Sequence, residues 1–434
     1  MTPAGYNDIS WEEAIAKAAG KLSGLKPDDC LIVVSPQLLN EDLFAAQQFI
    51  RQVTGSEEIA SSFIFDLDGD AVSFTNLALS SEPFETIEKA QGILAVGFDS
   101  TYGYSPVGVK VKQAAQAGAS LMSLNSFESN LDLLSEKAFV VDSSRWTDVL
   151  DLTMSRMSKG KTEKRFADLA EMWGGEIDKT CGTFSRSSHN VLIAGPGIID
   201  SPDRGKILRS IERMKNDYSW KVVVAHQYTN LAGMFAMGAC PGIKPGEMIK
   251  EASVDKAVVF KAERMHIDLG KKRKLIYLIG DASFDSLPEC EYLIYQNALP
   301  AKSSRQPDLI LPVSLFTEAS GTIISAEGRV LQVKEAAAPY MDSKPDWWIL
   351  KNIAEKMGKV KMKLNDVSSI QGEIKKIIKG FPAVKKRIEF KKIEVKGNIK
   401  SHGKGKPAAW KSSYRGIPLG EVVSGIKVIE LKGG

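Results

Sequence analysis

"NVLIAGPGI", residues 190–198, is an unbroken apolar run that stops in two glycines. A strand wetted on one face alternates polar with apolar residues. One that is apolar throughout is buried on both faces, as in a parallel sheet covered by helices. Runs of this kind recur: "CLIVVSP" (30–36), "GILAVG" (92–97), "SLMSLN" (120–125), "AFVVDS" (138–143), "KVVVAH" (221–226), "LIYLIG" (275–280), "EYLIYQ" (291–296) and "DLILPVS" (308–314). Helical patterns fill the intervals. In "DISWEEAIAKAAGKLSGL" Ser10 is the expected N-cap with Glu13 at the capping-box position, and "EDLFAAQQFIRQVTG" closes at Gly55. Short buried strands alternating with helices predict an α/β fold of two doubly wound, mostly parallel sheets.

A strand-poor stretch, 145–188, predicts a boundary between a first α/β part, 1–150, and a second, 151–358, with the chain free to cross between the two. Residues 359–434 are expected to form a basic, extended C-terminal extension with little core of its own, since 13 Lys/Arg face three acids between Glu373 and Lys411. Such a run is either a solvated surface or a docking arm for an acidic partner subunit. Few aromatics and no recognisable binding module argue against nucleic acid.

The rest of the composition excludes several classes. A 434-residue chain that is 43% hydrophobic and 25% charged, with net charge +4, is an ordinary packed protein. No apolar run reaches the ~18–20 residues of a membrane span, and the start lacks a signal-peptide pattern. Cys30, Cys181, Cys240 and Cys290 are far apart and form no C-x-x-C pair, which suits a reducing cytoplasm and predicts no iron–sulfur cluster held by this chain. His189, His226, His266 and His402 form no H-E-x-x-H motif. Neither a P-loop nor a full G-x-G-x-x-G follows any strand.

Three strands end in glycine: Gly97 with Asp99 close behind, Gly195 with Gly197, and Gly280 with Asp281. Ligands of open parallel sheets bind beyond the carboxyl ends of the strands, where glycine lets the backbone approach a phosphate. These positions are therefore candidates for a nucleotide-like ligand, although glycine also closes turns that bind nothing.

A longer segment carries a resemblance. "QPDLILPVSLFTEASGTIISAEGRVLQVKEAAAPYMDSKPDWWILKNIAEKMG" (306–358) resembles the closing part of the pterin-binding core in the molybdopterin oxidoreductase superfamily, which includes formate dehydrogenase catalytic subunits and the large iron–sulfur subunit of respiratory complex I. Glu318, Gly321, Thr322, Glu327, Gly328, Arg329, Asp346 and Trp347 match that pattern. "NEDLFAAQQFIRQVTGSEEI", with Asn40, Glu41, Arg51 and Gly55, is similar to an early helix of the family, and "NLAGMFAMGACPGIKPG" to a later core motif. The resemblance covers about residues 8–358.

The resemblance implies a molybdopterin guanine dinucleotide carrying Mo or W, with Gly97, Asp99, Gly195, Gly197, Gly280, Asp281, Gly321, Thr322 and Arg329 as candidate cofactor contacts. It also implies an iron–sulfur, ferredoxin-like partner subunit supplying the cluster domain that family enzymes carry at their N-terminus. Asp66 falls at the metal-ligand position, and His226 stands where formate dehydrogenases place the arginine that holds formate. The Asp-Pro-Arg turn that grips the guanine half reads Asn125, Ser126, Phe127. These departures, with the reduced C-terminal barrel, resemble complex I-like members that keep the fold and have lost the pterin chemistry. The expectation is a cytoplasmic subunit of a multi-subunit redox complex, structural more than independently catalytic. The alternatives are a split catalytic subunit using Asp66, or an unrelated nucleotide-binding α/β protein.

Overall fold

The computed structural model describes residues 6–100, 103–159, 164–250, 256–262, 267–268, 270–280, 288–299, 305–358 and 362–397. In chain order its strands are β1 (Cys30–Val34), β2 (Ile59–Ser61), β3 (Gly92–Val96), β4 (Ser120–Asn125), β5 (Lys137–Val140), β6 (Asn190–Ala194), β7 (Lys221–Val224), β8 (Val258–Lys261), β9 (Arg273–Ile279), β10 (Cys290–Gln296), β11 (Leu309–Leu311), β12 (Gly321–Ile324), β13 (Val330–Val333) and β14 (Ile393–Lys396). They belong to two compact units. Among the described residues, one joins those up to Ala71 to those from Tyr228 to Gly397, and the other runs from Val72 to Gln227.

The continuous unit holds a five-stranded parallel sheet in the order β5-β4-β3-β6-β7. Strand order reverses between β3 and β6, which are in register as Ile93↔Val191 and Val96↔Ala194. Its inner strands β3, β4 and β6 are buried along their whole length, and Ile93, Ala95, Val111, Leu121, Val191, Ile193 and Val223 form one buried cluster. The strand-poor stretch is not a boundary here. Leaving edge strand β5, the chain must return past β4 and β3, about 14 Å at the usual strand spacing, before it can add β6. Helices Trp146–Met157 and Ala167–Arg186 make that return.

The discontinuous unit repeats the plan, with a parallel sheet in the order β11-β10-β9-β1-β2 and its reversal between β1 and β9. Its core gathers Leu31, Val33, Ile276, Leu278, Leu293 and Tyr295. Helix Trp11–Leu22 has the expected Ser10 N-cap, whose hydroxyl accepts the Glu13 amide at 3.2 Å, while the Glu13 carboxylate pairs with Lys17 at 3.0 Å; Ile15, Ala18 and Leu22 are buried. After β1, helix Asn40–Gln48 widens into a π-helical segment, Phe49–Thr54, that stops at Gly55 in the left-handed region (φ 72°).

Arg51 lies on that π segment. Its guanidinium donates to the carbonyls of Gly238 and Ile243, both at 2.8 Å, to Gln47 Oε1 at 3.0 Å and to Glu57 Oε2 at 3.0 Å. A planar fork with five donors suits a set of fixed carbonyls, whereas lysine is a point charge. Arg51→Ala is expected to lower the stability of this unit by about 2–4 kcal/mol, because buried carbonyls lose a charged donor. Arg51→Lys should recover less than half of that loss in a urea titration.

Residues 362–397 join this unit's core. Met362, Leu364, Ile370, Ile374, Ile378, Ile388 and Ile393 are all buried, and helix Val367–Ile377 opens with Asp366 capping the Ser369 amide at 2.7 Å. Basic residues dominate the composition of this extension and hide the apolar ones, which are spaced as the helix and the following strap require. Residues 398–434 lie outside the described residues. Among the described residues, no helix is long and apolar enough to cross a membrane.

Candidate functional site

Each sheet has one strand-order reversal, and the candidate glycines stand there. In the continuous unit, Gly97 follows β3 with φ 58° and Gly195 follows β6. The two turns lock together: Gly195 N donates to Val96 O at 2.8 Å, Gly197 N to Gly97 O at 3.0 Å, and Gly97 N to Leu124 O at 2.8 Å. Only glycine fits at 97. Besides the positive φ, an added Cβ would lie 2.8 Å from the Trp146 ring and 3.0 Å from Ile198 N. Asp99 follows, half-buried.

Asn125 ends β4 beside them. It is 2% exposed, its amide nitrogen donates to Phe98 O at 3.0 Å, and its Oδ1 is buried with no hydrogen-bond partner. Tyr104, absent from the sequence expectations, precedes helix Ser105–Gln116 at φ 55° with its ring 6.3 Å from Phe98. Burial, and secondarily the charge of Asp200, pushes its phenol up to about 12. No local pattern marks such a residue, because a left-handed tyrosine is set by its neighbours and not by propensity.

In the discontinuous unit the family-like positions converge on one buried polar chain. Glu41, at the start of helix Asn40–Gln48, is fully buried and accepts Thr322 N at 2.8 Å, the Thr322 hydroxyl at 3.0 Å and Gln371 Nε2 at 2.8 Å. The Thr322 hydroxyl in turn accepts Asn40 Nδ2 at 3.0 Å, Asn40 Oδ1 accepts Asn230 Nδ2 at 3.0 Å, and Asn230 Oδ1 accepts Ile324 N at 2.8 Å. The direction of donation is consistent along the chain, so each bond polarises the next, and Asn230 Nδ2 also donates to Leu38 O at 2.7 Å. Gly321 is glycine because an added Cβ would sit 2.6 Å from Glu41 Oε2. Burial raises the Glu41 pKa, and the three donors oppose that rise.

A second cluster joins the same helix to helix Asp346–Met357. Asp42 accepts Trp347 N at 3.0 Å, and Asp346 accepts Gln296 Nε2 at 2.7 Å, while Gln296 Oε1 accepts the Tyr277 hydroxyl. Burial raises both carboxyls, Asp346 to about 6, and Asp42 is raised further by the charge of Asp346. Sequence reasoning reached Asp346 only as part of the resemblance and missed Asp42, Gln296 and Tyr277. Their signal is a carboxylate pair split across 304 positions, which no local pattern reports.

The remaining candidates are scattered. Asp66 falls in helix Ser62–Leu67, with its side chain outside what the structure describes, and Asp281 lies outside the described residues. His226 is half-buried just after β7, its ring 6.0 Å from Phe74. Gly280 ends β9 at φ 80° with its amide donating to Gln296 O at 2.9 Å. Arg329 sits in the β12–β13 turn, half-exposed, with Nε 3.9 Å from Glu327. Burial pushes the Cys30 and Cys240 thiols up to about 12, which makes them inert. Among the described residues, no group of three or more His, Cys, Asp or Glu is placed to hold a metal ion.

Two parallel sheets, each with glycine turns at its reversal point, define a dinucleotide-type α/β protein. The family description Molybdopterin oxidoreductase matches residues 4–356, and the chain belongs to that family. It is 20% identical to F420-dependent formate dehydrogenase 2 subunit alpha of Methanococcus maripaludis over 86% of this chain and 64% of that protein. The mitochondrial NADH-ubiquinone oxidoreductase 78 kDa subunit of Candida albicans is 21% identical over 85% of this chain and 46% of that protein. In fold, the chain is similar to acetylene hydratase from Pelobacter acetylenicus, with a TM-score of 0.56 at 11% identity over 88% of this chain and 64% of that one. The chain thus spans about half to two thirds of the length of these relatives.

Family membership implies a molybdopterin with Mo or W in related proteins. A cradle for its diphosphate needs backbone N–H groups aimed outward and bare glycine faces. In this chain the amides of Gly97, Gly195, Gly197, Gly280 and Thr322 all donate to protein oxygens, and the bare faces of Gly97 and Gly321 are filled by Trp146 and Glu41. As a diphosphate cradle these positions do not fit. At the end of β4, Asn125 Oδ1 is a buried acceptor with no donor among the described residues.

Proposed function

We propose that this chain is one subunit of a multi-subunit redox complex of the formate dehydrogenase-like or NADH dehydrogenase-like kind, acting as a structural support with no pterin chemistry of its own. One observation carries this reading. The amides of Gly97, Gly195, Gly197, Gly280 and Thr322, through which the family resemblance would grip a pterin dinucleotide, donate to oxygens of the chain itself, and Thr322 is tied to the helix Asn40–Gln48. His226 in place of an arginine points the same way, since a formate anion would lack its bidentate charged partner. The relatives are themselves subunits of formate dehydrogenases and NADH-ubiquinone oxidoreductases, and the expected partner is an iron–sulfur, ferredoxin-like subunit.

A second reading rests on Asn125: its orphaned Oδ1 would suit a donor on a purine edge, and the chain would then be a split catalytic subunit with Asp66 as metal ligand. Metal analysis separates the two. The complex isolated from its native source through a tag on the full chain should carry Mo and W far below one per chain and yield no fluorescent oxidised pterin. Stoichiometric metal, lost in Asp66→Ala, would overturn the structural reading.

A further inference from the structure

Residues 375–396 run as a strap across the discontinuous unit. Lys385 N donates to Val330 O at 2.7 Å and Ile388 N to Gly328 O at 2.8 Å, Lys391 N donates to Met248 O at 2.7 Å, and β14 then pairs with β8. Six of its lysines carry charge that is not compensated among the described residues. Lys375, Lys379, Lys385, Lys386, Lys392 and Lys396 are exposed and make no ion pair among the described residues. The nearby carboxylates do not relieve them: Glu373 pairs with Lys376 at 2.6 Å, Glu389 approaches Lys250 at 4.0 Å, and Glu394 stands opposite Val259.

The fold sets like charges against each other twice. Arg329 lies directly opposite Arg387 in an antiparallel bridge, and Lys396 is paired in register with Lys261. Directly opposed like charges destabilise a strand pair. Lys385 adds strain, holding φ 71° in a region that favours glycine. Between the cations stand exposed aliphatic residues: Val259 at 48%, Ile377 at 44% and Val384 at 39%.

We infer that this strap is a docking face for a protein with an acidic, carboxylate-rich surface. Charge complementarity selects the partner, because a carboxylate set would relieve the six lysines and the Lys261 opposed to Lys396, while the aliphatic residues supply the apolar contact a protein surface offers. Nucleic acid fits less well. No aromatic side chain is exposed between Ile377 and Lys396, and the one arginine there, Arg387, donates to Glu327 O at 3.0 Å. A bilayer fits less well too, since helix Val367–Ile377 buries Ile370 and Ile374 in the core and presents no apolar face of its own. The inference rests on the reading of the chain as one subunit among several.

The test uses the complex isolated natively through a tag on the full chain. Zero-length carbodiimide coupling should join at least two of Lys375, Lys379, Lys385, Lys386 and Lys392 to Asp or Glu of a second polypeptide. The variant Lys385→Glu/Lys386→Glu/Lys392→Glu should weaken that association by about tenfold or more at 0.15 M salt, with an unchanged thermal melt of the purified chain. If no second polypeptide accompanies the chain, the subunit reading itself fails. If one does and the variant leaves it bound as tightly, the docking face fails and the subunit reading stands. Binding of a DNA duplex or of phosphatidylserine vesicles at that salt, abolished by the variant, would reassign the face to nucleic acid or lipid and overturn the inference.

Discussion

Glu41→Ala should lower the stability of the discontinuous unit by about 3–5 kcal/mol, more than the loss expected for Arg51→Ala. The carboxylate is the terminal acceptor of the chain that runs from Asn230 through Asn40 and Thr322, and it also holds Gln371 of the C-terminal extension. Removing it strands the Thr322 amide and hydroxyl in a buried site and opens a cavity against Gly321. Glu41→Gln keeps the shape but aims an NH₂ group at a donor, so a loss of about 2 kcal/mol is expected. Urea denaturation of the purified chain measures both. A loss below about 1 kcal/mol for Glu41→Ala would mean that the chain of bonds does not act as one unit.

The second large effect is a pH dependence centred on Asp42 and Asp346. Both carboxyls have folded pKa values raised above the unfolded value of about 3.9, Asp346 to about 6. The folded state therefore holds a proton that the unfolded state has released. For Asp346 that contribution is fully present below about pH 4 and is lost as pH rises through about 6, and Asp42 acts in the same direction. Asp346→Asn keeps an oxygen for Gln296 and cannot ionise. Relative to the native chain, it should gain about 2–3 kcal/mol between pH 4 and pH 8, read as a flatter curve of denaturation midpoint against pH. A parallel curve for the two proteins would show that the pair does not titrate in this range.

Strands were the most legible feature of the sequence. β4 begins and ends where "SLMSLN" does, and β3, β6, β7, β9 and β10 fall within a residue or two of their apolar runs. A strand buried on both faces has to be apolar along its whole length, so its neighbours in space do not alter its local signature. The β12–β13 hairpin, "FTEASGTIISAEGRV", was legible only through the family resemblance. Its polar residues look out of place in one dimension because their partners are Glu41, Asn40 and Asn230, distant along the chain.

The site was less legible than the fold for the same reason. A glycine after a strand predicts a close backbone approach but not what approaches: at Gly97 it is Trp146, and at Gly321 it is Glu41. Asp42 and Asp346 show no pairing signal, since a buried carboxylate is known only by its surroundings. By itself, then, the sequence determined the α/β class, the strand positions, the family and the excess of positive charge beyond Gly358. Tertiary structure decided the rest: that 145–188 is a return crossover, that 362–397 joins a core, that the family's polar positions engage one another, and that lysines and arginines are set side by side. Local patterns report burial and periodicity, which each segment carries within itself, whereas hydrogen-bond partners and charge neighbours exist only after distant segments have met.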